Sequence, residues 1–414
     1  MTPALGERES GSASPRTRET HARADIHMTV ARLRRSRQAP PGHALRVSGN
    51  DVELLHDGEA CFAAMLEAID GAHSEVLLDM YWFASDRSGR RFADALSRKA
   101  REGAVVRIIY DSVGSWEADD GMFDAMRRAG CRVHEYHPVA PWRRRFNIGV
   151  VNHRDHRKML VVDGDVCLTG GINLGDPWAP ESEGGGGWRD DMLRIEGPAA
   201  AHMRGAFADT WYALEGEQLG HVEGPPPERQ EDGATVRILA SRHRREQRAI
   251  RREYLVRIRR ARHRIFIANA YFVPDSFVRR GLGRAAERGV DVRILVPGRS
   301  DVPAVHYAGR RTYEWLLASG VQLYAWRGSM LHAKSSVVDG RWCTVGSYNL
   351  DWRSWRFNLE VAAIVEDEEL GRRMEERFAL DLEHASSITL HSWRERALSD
   401  RVLERFFYLF RKLL

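Results

Sequence analysis

The sequence predicts an α/β protein made of two similar α/β/α sandwich domains related by a pseudo-twofold, with the working site at their interface. Three observations predict it. A strand–helix–strand order occurs twice, one polar motif occurs twice at the same spacing, and a segment rich in Pro, Gly and charge separates the copies.

In chain order, residues 1–44 are rich in Arg, Ser, Pro and Thr without apolar periodicity and are expected to form a disordered basic arm. Order is expected from near Val47. An apolar strand over 74–83 leads to a helix over about 90–102, and Gly103 opens a strand over 105–110. The second half repeats this with a strand over 264–272, a helix over about 275–288, and Gly289 before a strand over 290–295. Apolar strands alternating with helices imply parallel βαβ units with helices on both sheet faces. Residues 221–235, with Gly224-Pro225-Pro226-Pro227 inside, read as a linker. The expected division is an N-terminal domain over 45–220, a C-terminal domain over 236–397 and an amphipathic helix over 398–414.

Composition sets the limits. The 414 residues are 43% hydrophobic and 29% charged, the balance of a globular chain rather than a disordered one. No run approaches the ~18 consecutive apolar residues of a membrane span, and the N-terminus lacks the basic-then-apolar layout of a secretory signal. The expected place is inside the cell, with any membrane met from its surface. A net charge of +5 suits phosphate-rich partners but is far from that of a nucleic-acid-binding tail. The four cysteines form no Cys-x-x-Cys pair and read as buried thiols. Of 63 basic residues only four are lysines, Lys99, Lys158, Lys334 and Lys412, and two of these occupy matching places.

Those places lie in the repeated motif. His156-Arg157-Lys158 is followed after four residues by Asp163, then six residues on by Gly170-Gly171-Ile172-Asn173. His332-Ala333-Lys334 is followed at the same distances by Asp339 and by Gly346-Ser347-Tyr348-Asn349. At about one in twenty per position, five fixed residues coincide by chance roughly once in three million trials. A duplicated core would keep apolar residues and let polar ones drift; here the polar ones match.

Alternate residues of a strand share a face, so His156 points with Lys158 and His332 with Lys334. If the halves face each other, two imidazoles, two ammonium groups and the carboxamides of Asn173 and Asn349 converge. Ammonium and amide groups can hold the non-bridging oxygens of a phosphodiester while one imidazole attacks phosphorus and the other protonates the leaving oxygen. The motif offers no carboxylate cluster for a metal, and neither metal nor cofactor is expected. Asp163 and Asp339, five residues past each lysine, read as braces of the strand end. Each imidazole also needs a carboxylate on its second nitrogen. Asp190 and Glu360 follow the two motifs at similar distances, with Asp191 a neighbouring candidate.

The paired motifs resemble the phospholipase D superfamily, whose signature is a duplicated His-x-Lys-x4-Asp followed by Gly-small-x-Asn. The resemblance implies that fold for both domains and a covalent phosphohistidine intermediate. It implies a catalytic set of His156, Lys158, Asp163, His332, Lys334 and Asp339, with His156 as nucleophile. It further implies phosphate binding around Asn173, Asn349, Gly171 and Ser347, and carboxylates paired crosswise, Glu360 to His156 and Asp190 to His332. Tyr271-Phe272-Val273-Pro274-Asp275, Arg194-Ile195-Glu196-Gly197-Pro198 and Gly346-Ser347-Tyr348-Asn349-Leu350-Asp351 are similar to segments of bacterial cardiolipin synthases. The likeness is greatest to the type without N-terminal transmembrane helices. It implies transfer of a phosphatidyl group between phosphatidylglycerol molecules. Hydrolysis to phosphatidic acid is one alternative and a metal-independent nucleic-acid phosphodiesterase another. The second is disfavoured because such nucleases often carry a single motif.

The last 14 residues place Val402, Leu403, Phe406, Phe407, Leu409, Phe410, Leu413 and Leu414 on one helical arc opposite basic residues. That pattern fits a helix lying on a membrane surface, or one docking its apolar face on the protein's own core. Trp142, Arg143–Arg145 and the Arg-rich stretch 244–262 are candidate contacts for phosphate or lipid headgroups.

Overall fold

The structure is a computed structural model that describes residues 46–140, 151–220, 233–241 and 246–414. The expected basic arm, Trp142 with Arg143–Arg145, and nearly all of the expected linker lie outside the described residues.

The first half runs β1 (Val47–His56), α1 (Asp57–Asp70), β2 (Glu75–Met80), α2 (Arg87–Arg101), β3 (Val105–Asp111), α3 (Asp120–Arg128), β4 (Arg132–Tyr136), β5 (Lys158–Val162), β6 (Val166–Gly170), β7 (Asp191–Glu196) and α4 (Pro198–Glu215). The second half opens with β8 (Ala234–Ala240), α5 (Gln247–Arg260), β9 (Arg264–Asn269), α6 (Ser276–Glu287), β10 (Asp291–Pro297), α7 (Pro303–Arg310), α8 (Tyr313–Ala318) and β11 (Gln322–Trp326). It continues with β12 (Lys334–Val338), β13 (Trp342–Gly346), α9 (Trp352–Arg356), β14 (Val361–Glu366) and α10 (Glu368–Glu383). Then follow β15 (Ala385–Ile388), α11 (Leu390–Arg394) and α12 (Leu398–Leu409).

Local chemistry explains the matching elements. Asp86 caps α2 by accepting from Gly89 N–H, and Asp275 caps α6 by accepting from Phe277 and Val278 N–H. The α2 face that carries Phe92, Ala93 and Leu96 is buried. β2 and β5 are buried along their whole length, as befits strands covered on both faces.

The strands form one continuous sheet of 15 in the order β15-β11-β10-β9-β12-β13-β14-β8-β1-β7-β6-β5-β2-β3-β4. Apart from β15 at one edge, the order reads the same outward from the β1–β8 seam, which is the pseudo-twofold. Only β2-β3-β4 and β9-β10-β11 pair parallel; the other pairings are antiparallel. The expectation of parallel units thus holds for three strands per half. The motif strands differ because the turn from β5 to β6 is far too short for a crossover, which takes a dozen or more residues.

Those turns are where Asp163 and Asp339 sit, both in the left-handed region (φ 51° and 53°). Asp163 accepts from the backbone N–H of His73, Ser74 and Glu75, each at 2.8 Å. Asp339 accepts from those of Arg262, His263 and Arg264 at 2.8–3.0 Å. Each aspartate anchors the start of the neighbouring strand.

A single apolar cluster spans the seam. It joins Leu77, Met159, Val161, Leu193, Ile195 and Trp211 of the first half to Val236, Ile238, Val345, Val361, Ala363 and Val365 of the second. Cys61, Cys131, Cys167 and Cys343 are buried free thiols.

Candidate active site

His156 and Lys158 lie at the start of β5, and His332 and Lys334 at the start of β12, so the seam brings the two strand ends to one edge. Each histidine is held by main chain from the opposite half. His156 N–H donates to Leu359 O at 2.9 Å, and Leu359 N–H donates to Arg154 O at 2.9 Å. His332 N–H donates to Arg189 O at 2.7 Å, and Arg189 N–H donates to Met330 O at 2.8 Å. The residues after Leu359 and Arg189 are the two carboxylates, so the same crossing delivers each one beneath its imidazole. His156 Nδ1 lies 3.0 and 3.1 Å from the Glu360 oxygens, and His332 Nδ1 lies 2.7 Å from Asp190 Oδ2. These bonds leave Nε2 of both rings for chemistry.

The Gly-small pair seats the carboxylates. A Cβ on Gly170 or Gly346 would meet the carbonyl oxygen of Asp191 or Val361 at 2.2 Å, so the adjoining strand demands glycine there. A Cβ on Gly171 would fall 2.1 Å from Asp190 Oδ1. At the matching place the Ser347 hydroxyl instead donates to Glu360, to which Asn358 Nδ2 also donates at 3.3 Å. Asp190 gains the Trp178 indole at 3.0 Å and its neighbour's N–H, from Asp191, at 2.9 Å.

The asparagines present donors. Asn173 Oδ1 accepts from Trp82 N–H at 3.1 Å and Asn349 Oδ1 from Tyr271 N–H at 3.3 Å. Both face a cavity of about 750 Å³ that is also lined by His156, His332, Tyr81 and Tyr271. Behind it, Lys158 Nζ donates to His156 O at 2.8 Å and sits 4.8 Å from the Tyr81 ring. Lys334 Nζ lies 2.9 Å from His332 Nδ1 and 5.9 Å from the Tyr271 ring.

Burial sets the electrostatics. Desolvation brings the Lys158 ammonium down to about 7 and that of Lys334 to about 8. Burial and Lys158 push His156 well below the usual imidazole range; burial and Lys334 also lower His332, against the pull of Asp190. The carboxylates diverge. Burial lifts Glu360 to about 8, whereas at Asp190 the effect of burial is outweighed by His332, Lys334 and the Trp178 indole, leaving it low.

Several expectations need correction. Asp163 and Asp339 belong to the motif but not to the cavity, since the five residues of β5 or β12 carry the chain ~16 Å away. Gly171 and Ser347 do not face the phosphate place; they pack against Asp190 and Glu360. Asp191 is turned from the cavity toward His56 (2.9 Å), Arg189 (2.6 Å) and Ser335 (2.6 Å). The stretch 244–262, described from residue 246, is divided: Arg251 pairs with Asp275 at 2.6 Å, and Arg257 with Glu253 at 2.9 Å and Glu366 at 2.6 Å, while Arg252, Arg259, Arg260 and Arg262 are exposed.

Sequence reasoning gave Tyr81 and Tyr271 no role at the site. Their rings stand edge-on to His156 (4.8 Å) and His332 (6.2 Å), and Trp178 and Trp188 flank His332. A signal existed: each tyrosine opens an aromatic pair, Tyr81-Trp82 and Tyr271-Phe272, just after the first strand of its repeat. Among the described residues no group of three or more His, Cys, Asp or Glu is placed as metal ligands.

A twofold sheet that carries both halves of a paired His-Lys-Asn site on one chain defines a phospholipase D-like α/β protein. The family model described as cardiolipin synthase, PLD-like domain, matches residues 65–207 and 254–382, and the chain belongs to that family. It is 35% identical to the cardiolipin synthase of Geobacillus thermodenitrificans (strain NG80-2), over 85% of this chain and 70% of that protein. It is 32% identical to cardiolipin synthase 1 of Bacillus anthracis, over 87% and 72%. Among solved structures, the phosphatidylserine synthase of Haemophilus influenzae Rd KW20 shares the fold, with a TM-score of 0.65 at 14% identity, covering 90% of this chain and 98% of that one.

Proposed function

We infer that the protein is a phosphatidyltransferase that forms cardiolipin, moving the phosphatidyl group of one phosphatidylglycerol to the terminal hydroxyl of another and releasing glycerol. What carries this is the crossed arrangement in which both histidines line one cavity, each seated on a carboxylate from the opposite half. The cardiolipin synthases similar to it along most of the chain support the same substrates.

In the first step His156 Nε2 attacks phosphorus. The P–N bond forms, the bond to the glycerol oxygen breaks, and that oxygen takes a proton from His332. In the second step an incoming hydroxyl gives its proton to His332 while its oxygen attacks phosphorus, and the P–N electron pair returns to His156. Lys158, Lys334, Asn173 and Asn349 hold the non-bridging oxygens. The unequal carboxylates support this division of labour. An ionised Asp190 stabilises an imidazolium at His332, while His156 beside the raised Glu360 stays a neutral nucleophile.

Binding at the cytoplasmic face of a membrane belongs to the same proposal. The helix α12 docks in part, with Phe407 and, past its end, Leu414 packed against Val273, Val305 and Ala308, but it also turns Glu404 inward, fully buried between Arg310 (3.1 Å) and Arg396 (2.8 Å). It leaves Leu398, Val402, Phe406 and Leu409 more than half exposed. Exposed Arg401, Arg405 and Lys412 lie among them, and Val113, Trp116, Val302 and Leu413 continue the exposed apolar surface onto the cavity rim. Apolar bulk interspersed with cations at the mouth of the site fits an anionic bilayer. No helix among the described residues is long and apolar enough to cross a membrane. The division at 45–220, 236–397 and 398–414 completes the proposal, supported by the mirrored strand order.

Labelled phosphatidylglycerol in mixed micelles with chelator tests the chemistry. Cardiolipin and glycerol are expected. Phosphatidic acid alone would make the protein a hydrolase, and cleavage of single-stranded DNA without lipid turnover would overturn both. His156→Ala and His332→Ala are each expected to abolish turnover; a near-normal rate in either removes that histidine's role.

A further inference from the structure

The elements around the cavity repeat, and the loop after β3 brings an acid to it (Glu117) as the loop after β10 does (Asp301), but among the described residues only Asp301 accepts from the tyrosine that stands edge-on to a motif histidine. Beside His156 the wall carries Arg154 and Arg353, whose charges bear on Tyr81, and that of Arg353 also on His156. Beside His332 it carries Asp301, whose charge bears on His332 and Lys334. Tyr271, edge-on to His332, donates its hydroxyl to Asp301 Oδ2 at 2.7 Å. Tyr81, its counterpart, pairs with no carboxylate among the described residues. Asp301 forms no ion pair among the described residues either. It is exposed, and Oδ1 meets only a long 3.4 Å contact from Ser300. Asp351, also on the cavity wall, is by contrast committed: it is buried and caps α9 by accepting from Ser354 N–H at 2.8 Å.

An anionic acceptor next to His332 sits oddly in a site that must gather phosphate oxygens. It fits the other component of the reaction. The histidine that protonates the leaving oxygen also deprotonates the entering one, so both alcohols use the same place in turn. Hydroxyl groups donate to carboxylates, and hydrogen bonds to a charged acceptor are the stronger kind. We propose that Asp301, oriented by Tyr271, receives the spare hydroxyl groups of the alcohol that leaves and of the alcohol that enters beside His332. The site thereby prefers a polyol such as glycerol to water or a simple alcohol. This rests on the phosphatidyl-transfer reading above and adds to it which residues choose the acceptor.

The test is competition between two primary alcohols for one intermediate. The full-length protein turns over a short-chain, soluble phosphatidylglycerol in equal concentrations of labelled glycerol and 1-propanol, and the ratio of the two products is read. That ratio does not depend on how much enzyme is active, so partial misfolding leaves it intact. Wild type is expected to favour glycerol. Asp301→Asn is expected to cut the glycerol-to-propanol ratio about tenfold, and Tyr271→Phe to shift it the same way by less. An unchanged ratio in Asp301→Asn overturns the proposal even if total turnover falls. A third arm replaces glycerol with ethanolamine: loss of an ethanolamine preference with the glycerol ratio intact would mean that Asp301 reads an ammonium group, and would overturn it too. Wild type that hydrolyses the lipid but transfers to neither alcohol would sink the transferase reading and this inference together, an outcome distinct from the variant's failure.

Discussion

Two lysines less than 3% exposed cannot keep the basicity of a solvated ammonium. Lys158 titrates to about 7 and Lys334 to about 8, both from 10.5, and buried Glu360 rises to about 8. Raising the pH from 6 to 9 removes two positive charges from the phosphate place and adds one negative charge. All three changes weaken anion binding. Inhibition by sulfate, whose own charge is constant over this range, is therefore expected to weaken at least tenfold between pH 6 and 9. A flat inhibition constant would mean that the lysines stay charged. At this scale the sequence was readable wherever chemistry dictates both residue type and spacing, as for His156, Lys158, Asn173 and their counterparts. The resemblance misled where membership of the motif says nothing about which end of a strand a side chain occupies, as for Asp163 and Asp339, which their spacing alone reads as braces. Gly171 and Ser347 show a subtler limit, because a small residue that approaches phosphate and one that makes room for a carboxylate look alike until the neighbouring strand is placed.

Elements were readable in proportion to their dependence on local pattern. The helices after β2 and β9 lie within a few residues of expectation, since a capping aspartate and an apolar stripe mark each. Strand direction was not, because it follows from loop length and pairing rather than from apolar content, and β5 and β12 run antiparallel to their neighbours. The helix α12 shows the difference most sharply: its amphipathic pattern is plain in sequence, yet the face that turns inward carries buried Glu404, held by Arg310 and Arg396, beside Phe407. Burying a large apolar side chain is worth ~1.5–3 kcal/mol, so losing two at a membrane costs more than tenfold in affinity. The double variant Phe406→Ser, Leu409→Ser is expected to lose at least that much binding to phosphatidylglycerol-containing vesicles in sedimentation. Its Tm should hardly move, because both side chains are already in solvent. Undiminished binding would place the membrane contact elsewhere. Glu404→Ala is the counterpart: it takes the buried carboxylate from half-buried Arg396 and Arg310, of which Arg310 keeps Asp400 at 2.8 Å, a loss of ~1.5–3 kcal/mol, and should lower Tm.

At the scale of the molecule, the two domains share more than a site: the packing makes them one folding unit. The seam pairs β1 with β8 inside an unbroken sheet, and the cluster beneath it takes about a dozen large side chains from the two halves. If separation exposed even half of each, at ~1.5–3 kcal/mol for full burial, the loss would be on the order of 10 kcal/mol. That equals the whole stability of an ordinary domain, ~5–15 kcal/mol. It would also strip each histidine of its carboxylate and of the main-chain bond that seats it. Intact protein is therefore expected to unfold in one calorimetric transition. Residues 46–220 and 233–414 produced separately should lack cooperative unfolding and turnover, and their co-expression should restore both. Two resolved transitions, or either half folding alone as a stable monomer, would show that the seam joins finished domains instead of completing them.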